Sequence, residues 1–343
     1  MPVAPIHRLL VTALMGVLLT LAGCSGVRTD DAPADARGDD AWQPVTIEHA
    51  LGTAVIDHEP KRIVTLGQGS AETAIALGNV PVGIEEYPWG SDDTGYLPWI
   101  HEAVTERGAT LPTQFTGGTE LDIEAIVELQ PDLILAPWSG ITREQYDVLK
   151  DVAPTVAYEK EPWVSTWTQQ IAVIGQALGK SDEANQLITK TQGQLRDASR
   201  KEYEGLTFSY IYNTGPGTLG VFFPSEQRVA MVSALGLTVD PVVETLRKYE
   251  VAGTDSAEIG LENAERLRDS DLIFTFYMDD ASRKEIEAQP LYRQIPAVAR
   301  GSVVAPADQS LVTASSIINP LTVPWVLDRF IPKIDEAVAH LPR

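Results

Sequence analysis

Residues able to run hydrolytic or metal chemistry are sparse and poorly spaced in this sequence. Its five histidines are His7, His49, His58, His101 and His340. None recurs at the three- or four-residue spacing that puts two imidazoles on one helix face for a zinc ion. The nucleophile elbow G-x-S-x-G does not occur, because Gly67-Gln68-Gly69-Ser70 has the wrong order. Gly215-Pro216-Gly217-Thr218-Leu219-Gly220 does match the dinucleotide pattern G-x-G-x-x-G and follows a strand-like run. The glycines of that pattern must open a helix whose N-terminus holds the pyrophosphate. Here Val221-Phe222-Phe223-Pro224 follows, which reads as β and is then broken by proline. Asp240 stands about 20 residues on, where a ribose-binding acid would be, and is set aside as coincidence. No catalytic residue and no direct metal ligand is assigned.

Aromatic residues recur instead at the ends of β-like runs. Tyr87 and Trp89 follow residues 80–84, Trp138 follows 132–136, and Trp163 follows 156–158. Tyr212, Phe222 and Phe223 flank the glycine loop, and Tyr277 closes the run at 272–276. Open α/β sheets bind ligands in the crevice outside the carboxyl ends of their strands. Aromatics gathered there, without a nucleophile–base pair, suit a large, flat, partly apolar ligand.

The elements that would position them follow an α/β rhythm. Arg62–Leu66 is a short β-rich run ending at Gly67-Gln68-Gly69, followed by a helical stretch from Ser70 to Gly78. Val80–Ile84, Asp132–Ala136 and Val156–Tyr158 read as strands, with an amphipathic helix over 122–129 stopped at Pro131. Residues 165–204 break the rhythm, with Ile171, Ile174, Leu178, Ala184, Leu187, Ile188 and Leu195 at helical spacing. One long helix, or two end to end with a bend at Gly179-Lys180-Ser181, is expected there. The second half then echoes the first: Phe208–Tyr212 leads to a glycine loop, a helix over 225–236 ends in Ala234-Leu235-Gly236, and Glu258–Phe274 parallels Glu120–Leu135. Strands alternating with helices imply mainly parallel sheets. The predicted fold is thus α/β, with two Rossmann-like lobes over 42–164 and 205–343, a bridging helix over 165–204, and a ligand cleft between the lobes.

The N-terminus has the three parts of an export signal. His7-Arg8 precede an apolar run over 9–22 that is shorter than the roughly 20 residues of a spanning helix. Leu21-Ala22-Gly23-Cys24 resembles the bacterial lipobox, which implies cleavage after residue 23 and a diacylglyceryl group on Cys24. Two acyl chains make such an anchor stable where one is marginal. Residues 24–41 are small, acidic and without apolar periodicity, as a flexible tether is. The protein is therefore expected at the outer face of a bacterial cell membrane, held by lipid. Cys24 is the only cysteine, which excludes a disulfide framework. The net charge of −22 argues against a nucleic-acid partner, which needs a basic face.

Residues 42–341 resemble a class III substrate-binding protein of an ABC importer, of the iron–siderophore type. The carriers are Lys61–Leu66 running into Ser70–Gly78, Asp122–Ile134 with Pro131-Asp132, Pro137–Gly140, Leu149–Val156, and Gln289–Val298 leading to Gly301–Val304. The resemblance implies capture of a ferric siderophore, with the iron held by the siderophore and not by protein atoms, and delivery to an ABC permease and its ATPase by a monomer. It implies that an acid on the first helix of each lobe meets permease arginines, which places Glu72 in that role and Glu226 as the C-terminal counterpart. Ligand contacts are expected from Tyr87, Trp89, Trp138, Trp163, Tyr212, Phe222 and Tyr277, with positive charge from Arg143 or from Arg247 beside Lys248. The arginines that such proteins often carry after the C-terminal strands are missing at Gly215–Gly220 and at Tyr277-Met278, which leaves hydroxamate or mixed ligands open. The alternatives are the same fold binding haem or a corrinoid, and a surface enzyme or scaffold.

Overall fold

Short apolar runs flanked by glycine or proline set the layout. The computed structural model describes residues 42–252 and 254–342, so Cys24, the signal segment and the tether lie outside the described residues. The described chain begins with an antiparallel hairpin, β1 (Val45–His49) and β2 (Gly52–Ile56). Five strands then form a wholly parallel sheet: β3 (Ile63–Thr65), β4 (Gly83–Glu85), β5 (Thr113–Phe115), β6 (Leu133–Leu135) and β7 (Thr155–Val156), in the spatial order β5-β4-β3-β6-β7. β3 and β6 are buried at every position, as strands covered by helices on both faces must be. The chain reverses its direction of travel across the sheet between β3 and β6. That is the switch point at which doubly wound sheets open a crevice.

The second sheet has the expected parallel core and adds antiparallel strands at one edge. β8 (Thr207–Tyr212) pairs in parallel with β10 (Thr238–Val239) and β13 (Leu272–Phe274), and β13 with β14 (Val303–Val304). β9 (Gly220–Phe222), β12 (Ser256–Glu258) and β11 (Glu250–Val251) extend it antiparallel from the end of β8. The glycine loop is accordingly a hairpin connection between β8 and β9, where the Thr218 hydroxyl accepts from the amides of Thr214 and Gly215. It opens no helix. The echo between the halves is carried by side chains too. The Asp132 carboxylate accepts from the amides of Lys61 and Arg62 at 2.8 Å, and Asp271 accepts from the amide of Thr207 at 2.8 Å. Each thus clamps the start of the neighbouring central strand.

The stretch over 165–204 divides. A helix Trp167–Ala177 ends at Gly179, whose φ of +66° favours glycine, and a second helix runs Ser181–Ala198. They meet at a corner. A Cβ on Gly175 would lie 2.2 Å from the Ala184 Cβ, whereas nine residues of continuous helix would hold them roughly 13 Å apart. Lys180 fixes the corner by donating to the Leu77 carbonyl at 2.7 Å and to Asn79 at 2.6 Å. The first helix packs on the Ser70–Ala76 helix and β1, the second on the Thr322–Ala339 and Gln227–Ala234 helices. The element that bridges is therefore Ser181–Ala198 alone, roughly 27 Å long.

The two sheets share a core. One apolar cluster runs from Ala71, Ile75, Trp99 and Ile100 to Phe274, Leu311, Val323 and Phe330. Within it Trp99 and Trp325 meet edge to face at 5.4 Å. No helix among the described residues is long and apolar enough to cross a membrane.

Candidate ligand cleft

Around the switch point the loops after β3 and β6 touch. Gly67 has φ +71°, and a Cβ there would sit 1.9 Å from the Trp138 carbonyl oxygen. Only glycine fits, and its fit holds Trp138 at the strand end. The Trp138 and Trp163 rings pack edge to face at 4.8 Å, an arrangement that suits the aromatic quadrupole. Trp163 is 43% exposed and has a φ of +65°. Such strain in a bulky residue persists only where its surroundings fix it, and here the indole lies on Gly140, where a Cβ would come within 2.6 Å.

Tyr87 and Trp89 line a hollow of about 340 Å³ with Gln68, Glu85, Thr116 and, from the C-terminal half, Thr313. Trp89 reaches across and donates from Nε1 to the Met278 carbonyl at 3.3 Å. The Glu85 carboxylate accepts from the Gly67 amide at 2.8 Å. Burial pushes its pKa above the usual carboxylate range, and burial also raises the Tyr87 hydroxyl, helped by the nearby Glu85 and Glu72 charges.

On the other side, Tyr212 ends β8, Phe222 ends β9 and Phe276 stands just past β13. The Tyr212 and Phe222 rings lie 4.7 Å apart. Between them the structure places a residue the sequence reading missed. The Arg228 guanidinium lies 5.0 Å from the Phe222 ring and 5.5 Å from that of Phe276, within reach of cation–π attraction. Its side chain is 26% exposed, Nη1 donates to Glu226 at 2.5 Å, and Nε is buried without a partner. The only sequence signal was its place in the first turn after Phe222-Phe223-Pro224, which many surface arginines share.

Five assignments move. Glu72 is 2% exposed and accepts from Trp99 Nε1 at 2.9 Å, with Asn319 of the C-terminal half beside it. Burial raises its pKa, and it presents no acid to a partner surface. Glu226 is largely enclosed, with its side chain 11% exposed. It caps the Gln227–Ala234 helix by accepting from the Arg228 amide at 2.8 Å, pairs with that residue's guanidinium, and has its pKa raised by burial. Arg143 donates to the Leu51 carbonyl at 2.6 Å and faces Asp147 and the Tyr146 ring, on the β1–β2 hairpin side. Arg247 is held by Glu244 at 2.6 Å over the Phe223 ring, in the C-terminal lobe's other apolar cluster. Tyr277 belongs to that cluster too, with its hydroxyl 2.8 Å from that of Tyr292. Side chains alternate across a strand, so Phe274 and Phe276 face the core shared by the two sheets while Ile273 and Tyr277 face the other cluster.

The sequence pattern of a family described as periplasmic binding protein matches residues 63–309. The chain is 26% identical over 343 residues to the ferric enterobactin-binding periplasmic protein FepB of Escherichia coli O6:H1, covering 96% of this chain and 98% of that one. It is 27% identical over 294 residues to YfiY of Bacillus subtilis, named a probable siderophore-binding lipoprotein, covering 79% and 83%. In structure it is similar to PiaA of Streptococcus pneumoniae solved in complex with ferrichrome, with a TM-score of 0.79 and 28% identity over 87% of this chain and 100% of that one.

Proposed function

The chain belongs to the periplasmic binding protein family, and from that premise we propose that it captures a ferric siderophore outside the cytoplasm and delivers it to an ABC permease. One observation carries the reading: the strand ends of both lobes present aromatic rings, Trp138 with Trp163 in one lobe and Tyr212 with Phe222 and Phe276 in the other, with the clamped Arg228 between Phe222 and Phe276. Relatives over 96% and 79% of the chain are named as ferric enterobactin-binding and probable siderophore-binding. A siderophore already fills the coordination shell of its iron, so the protein needs faces and hydrogen-bond donors and no metal ligands. The bridging helix Ser181–Ala198 and the core shared between lobes favour a preformed cleft with modest closure. Cys24 carries the lipid in this reading, keeping the receptor near its permease at high effective concentration.

The permease-docking acids need relocation, because Glu72 and Glu226 are enclosed. Glu124 and Glu262 are exposed, each in the first turn of the helical segment that leads into an equivalent strand, β6 or β13. An acid on each lobe at matching places suits a partner with paired arginines, and such rim charges set on-rate and orientation. The function is tested by titrating the protein with ferric siderophores and with haem, following tryptophan emission and the visible spectrum. Saturable quenching by a ferric siderophore is expected. A Soret shift with haem and no response to any ferric siderophore would replace the reading by haem capture.

A further inference from the structure

Ferric siderophores divide by charge. A ferric tris-hydroxamate is neutral overall, whereas a ferric tris-catecholate is a trianion. The cleft's own charges discriminate between them. Past the strand ends, Lys160 lies in the loop after β7 and Arg228 in the first turn of the helix after β9, while Arg143 and Arg283, in the first helical turns after β6 and β13, are held by Asp147 and Glu287. Lys160 is exposed, 3.9 Å from Glu159 and followed by Glu161. Arg228 is already paired with Glu226 at 2.5 Å, and Asp255 adds negative charge near that carboxylate. The hollow lined by Tyr87 and Trp89 carries the carboxyls of Glu85 and Glu86. A trianion entering this setting would give up its hydration and meet more carboxylates than cations, and burying charge without matched partners is costly.

A neutral complex asks for what the cleft does supply. Tyr212, Phe222, Phe276, Trp138 and Trp163 offer ring faces to an apolar chelate shell. The Arg228 guanidinium, held between two rings and neutralised by Glu226, is a fixed donor for chelate oxygens that brings no surplus charge. Within the function proposed above, we infer that the cleft selects a neutral ferric tris-hydroxamate over a trianionic tris-catecholate, with Arg228 as the positioned donor.

Tryptophan quenching by ferrichrome and by ferric enterobactin, on the full chain under one buffer, tests this. Ferrichrome is expected to bind about 100-fold tighter or more, a gap of about two decades in Kd. Equal or tighter binding of ferric enterobactin overturns the inference and leaves siderophore capture standing. No response to either, at concentrations where haem does respond, sinks the proposed function as well. Glu226→Gln supplies the second arm. Glutamine still offers an oxygen to cap the helix, while the charge of Arg228 is released, so the gap should narrow about tenfold through stronger ferric enterobactin binding. A folded Glu226→Gln protein, checked by its melting curve, that shows an unchanged gap overturns the role of Arg228.

Discussion

Replacing Glu72 separates a buried latch between the two halves from a solvated surface acid. In the structure its carboxyl receives the indole N–H of Trp99 at 2.9 Å and lies beside Asn319, so it joins the Ser70–Ala76 helix to the C-terminal half. Glu72→Ala leaves the Trp99 N–H buried without an acceptor, at about 1–3 kcal/mol. The lost side-chain volume adds about 1 kcal/mol. The total is roughly 2–4 kcal/mol, against less than about 0.5 kcal/mol for truncating an exposed acid. At about 2–4 °C per kcal/mol, melting should fall by roughly 4–16 °C. Glu72→Gln keeps an acceptor and removes the charge. Burial raises the folded-state pKa of Glu72 above the ordinary 4.5, so the native state holds the proton more tightly than the unfolded one. Its stabilising contribution is then full below the ordinary value and is lost as pH rises through the shifted one. Denaturant titrations across that window should show the wild type losing stability relative to Glu72→Gln as pH rises. A Glu72→Ala protein that melts with the wild type, or an identical pH profile for Glu72→Gln, would refute the buried latch.

Gly67→Ala forces a Cβ onto the Trp138 carbonyl and strains a left-handed φ; a loss of about 2 kcal/mol or more and a shift in tryptophan emission are expected by denaturation and fluorescence. Trp138→Ala should weaken ferric-siderophore binding by about tenfold or more and remove part of the quenching, while Arg143→Ala should leave affinity unchanged in the same titration. Glu124→Gln with Glu262→Gln should leave ligand affinity and melting intact but lower iron uptake by cells, and normal uptake would place the docking acids elsewhere.

Much of this architecture is legible because local chemistry repeats. Leu133-Ile134-Leu135 between Asp132 and Pro137 announces a buried strand, and Leu272-Ile273-Phe274 after Asp271 announces its twin; the shared aspartates clamp equivalent neighbours. Trp138 and Trp163 stand in the loops that follow β6 and β7, three and seven residues past the strand ends. What the sequence hides is set by contacts far apart along the chain. The corner between Trp167–Ala177 and Ser181–Ala198 depends on Gly175 meeting Ala184, and periodicity alone continues through it. Glu72 sits in Ser70-Ala71-Glu72-Thr73-Ala74, which reads like a solvated helix, and only Trp99 and Asn319 folded against it make it internal. Tyr277 follows a strand as Phe276 does, but one residue of alternation turns it to the opposite face. Arg228 differs from Arg143 and Arg247 by nothing in its spacing; it differs in having Phe222 and Phe276 on either side and in facing the strand ends.

The most direct test is a crystal structure of the protein loaded with a ferric siderophore, with the iron located by its anomalous signal. The iron is expected between the Trp138–Trp163 pair and the Tyr212, Phe276 and Arg228 group, held by siderophore oxygens alone. Iron bound by a protein side chain, or a ligand seated away from these strand ends, would contradict the account.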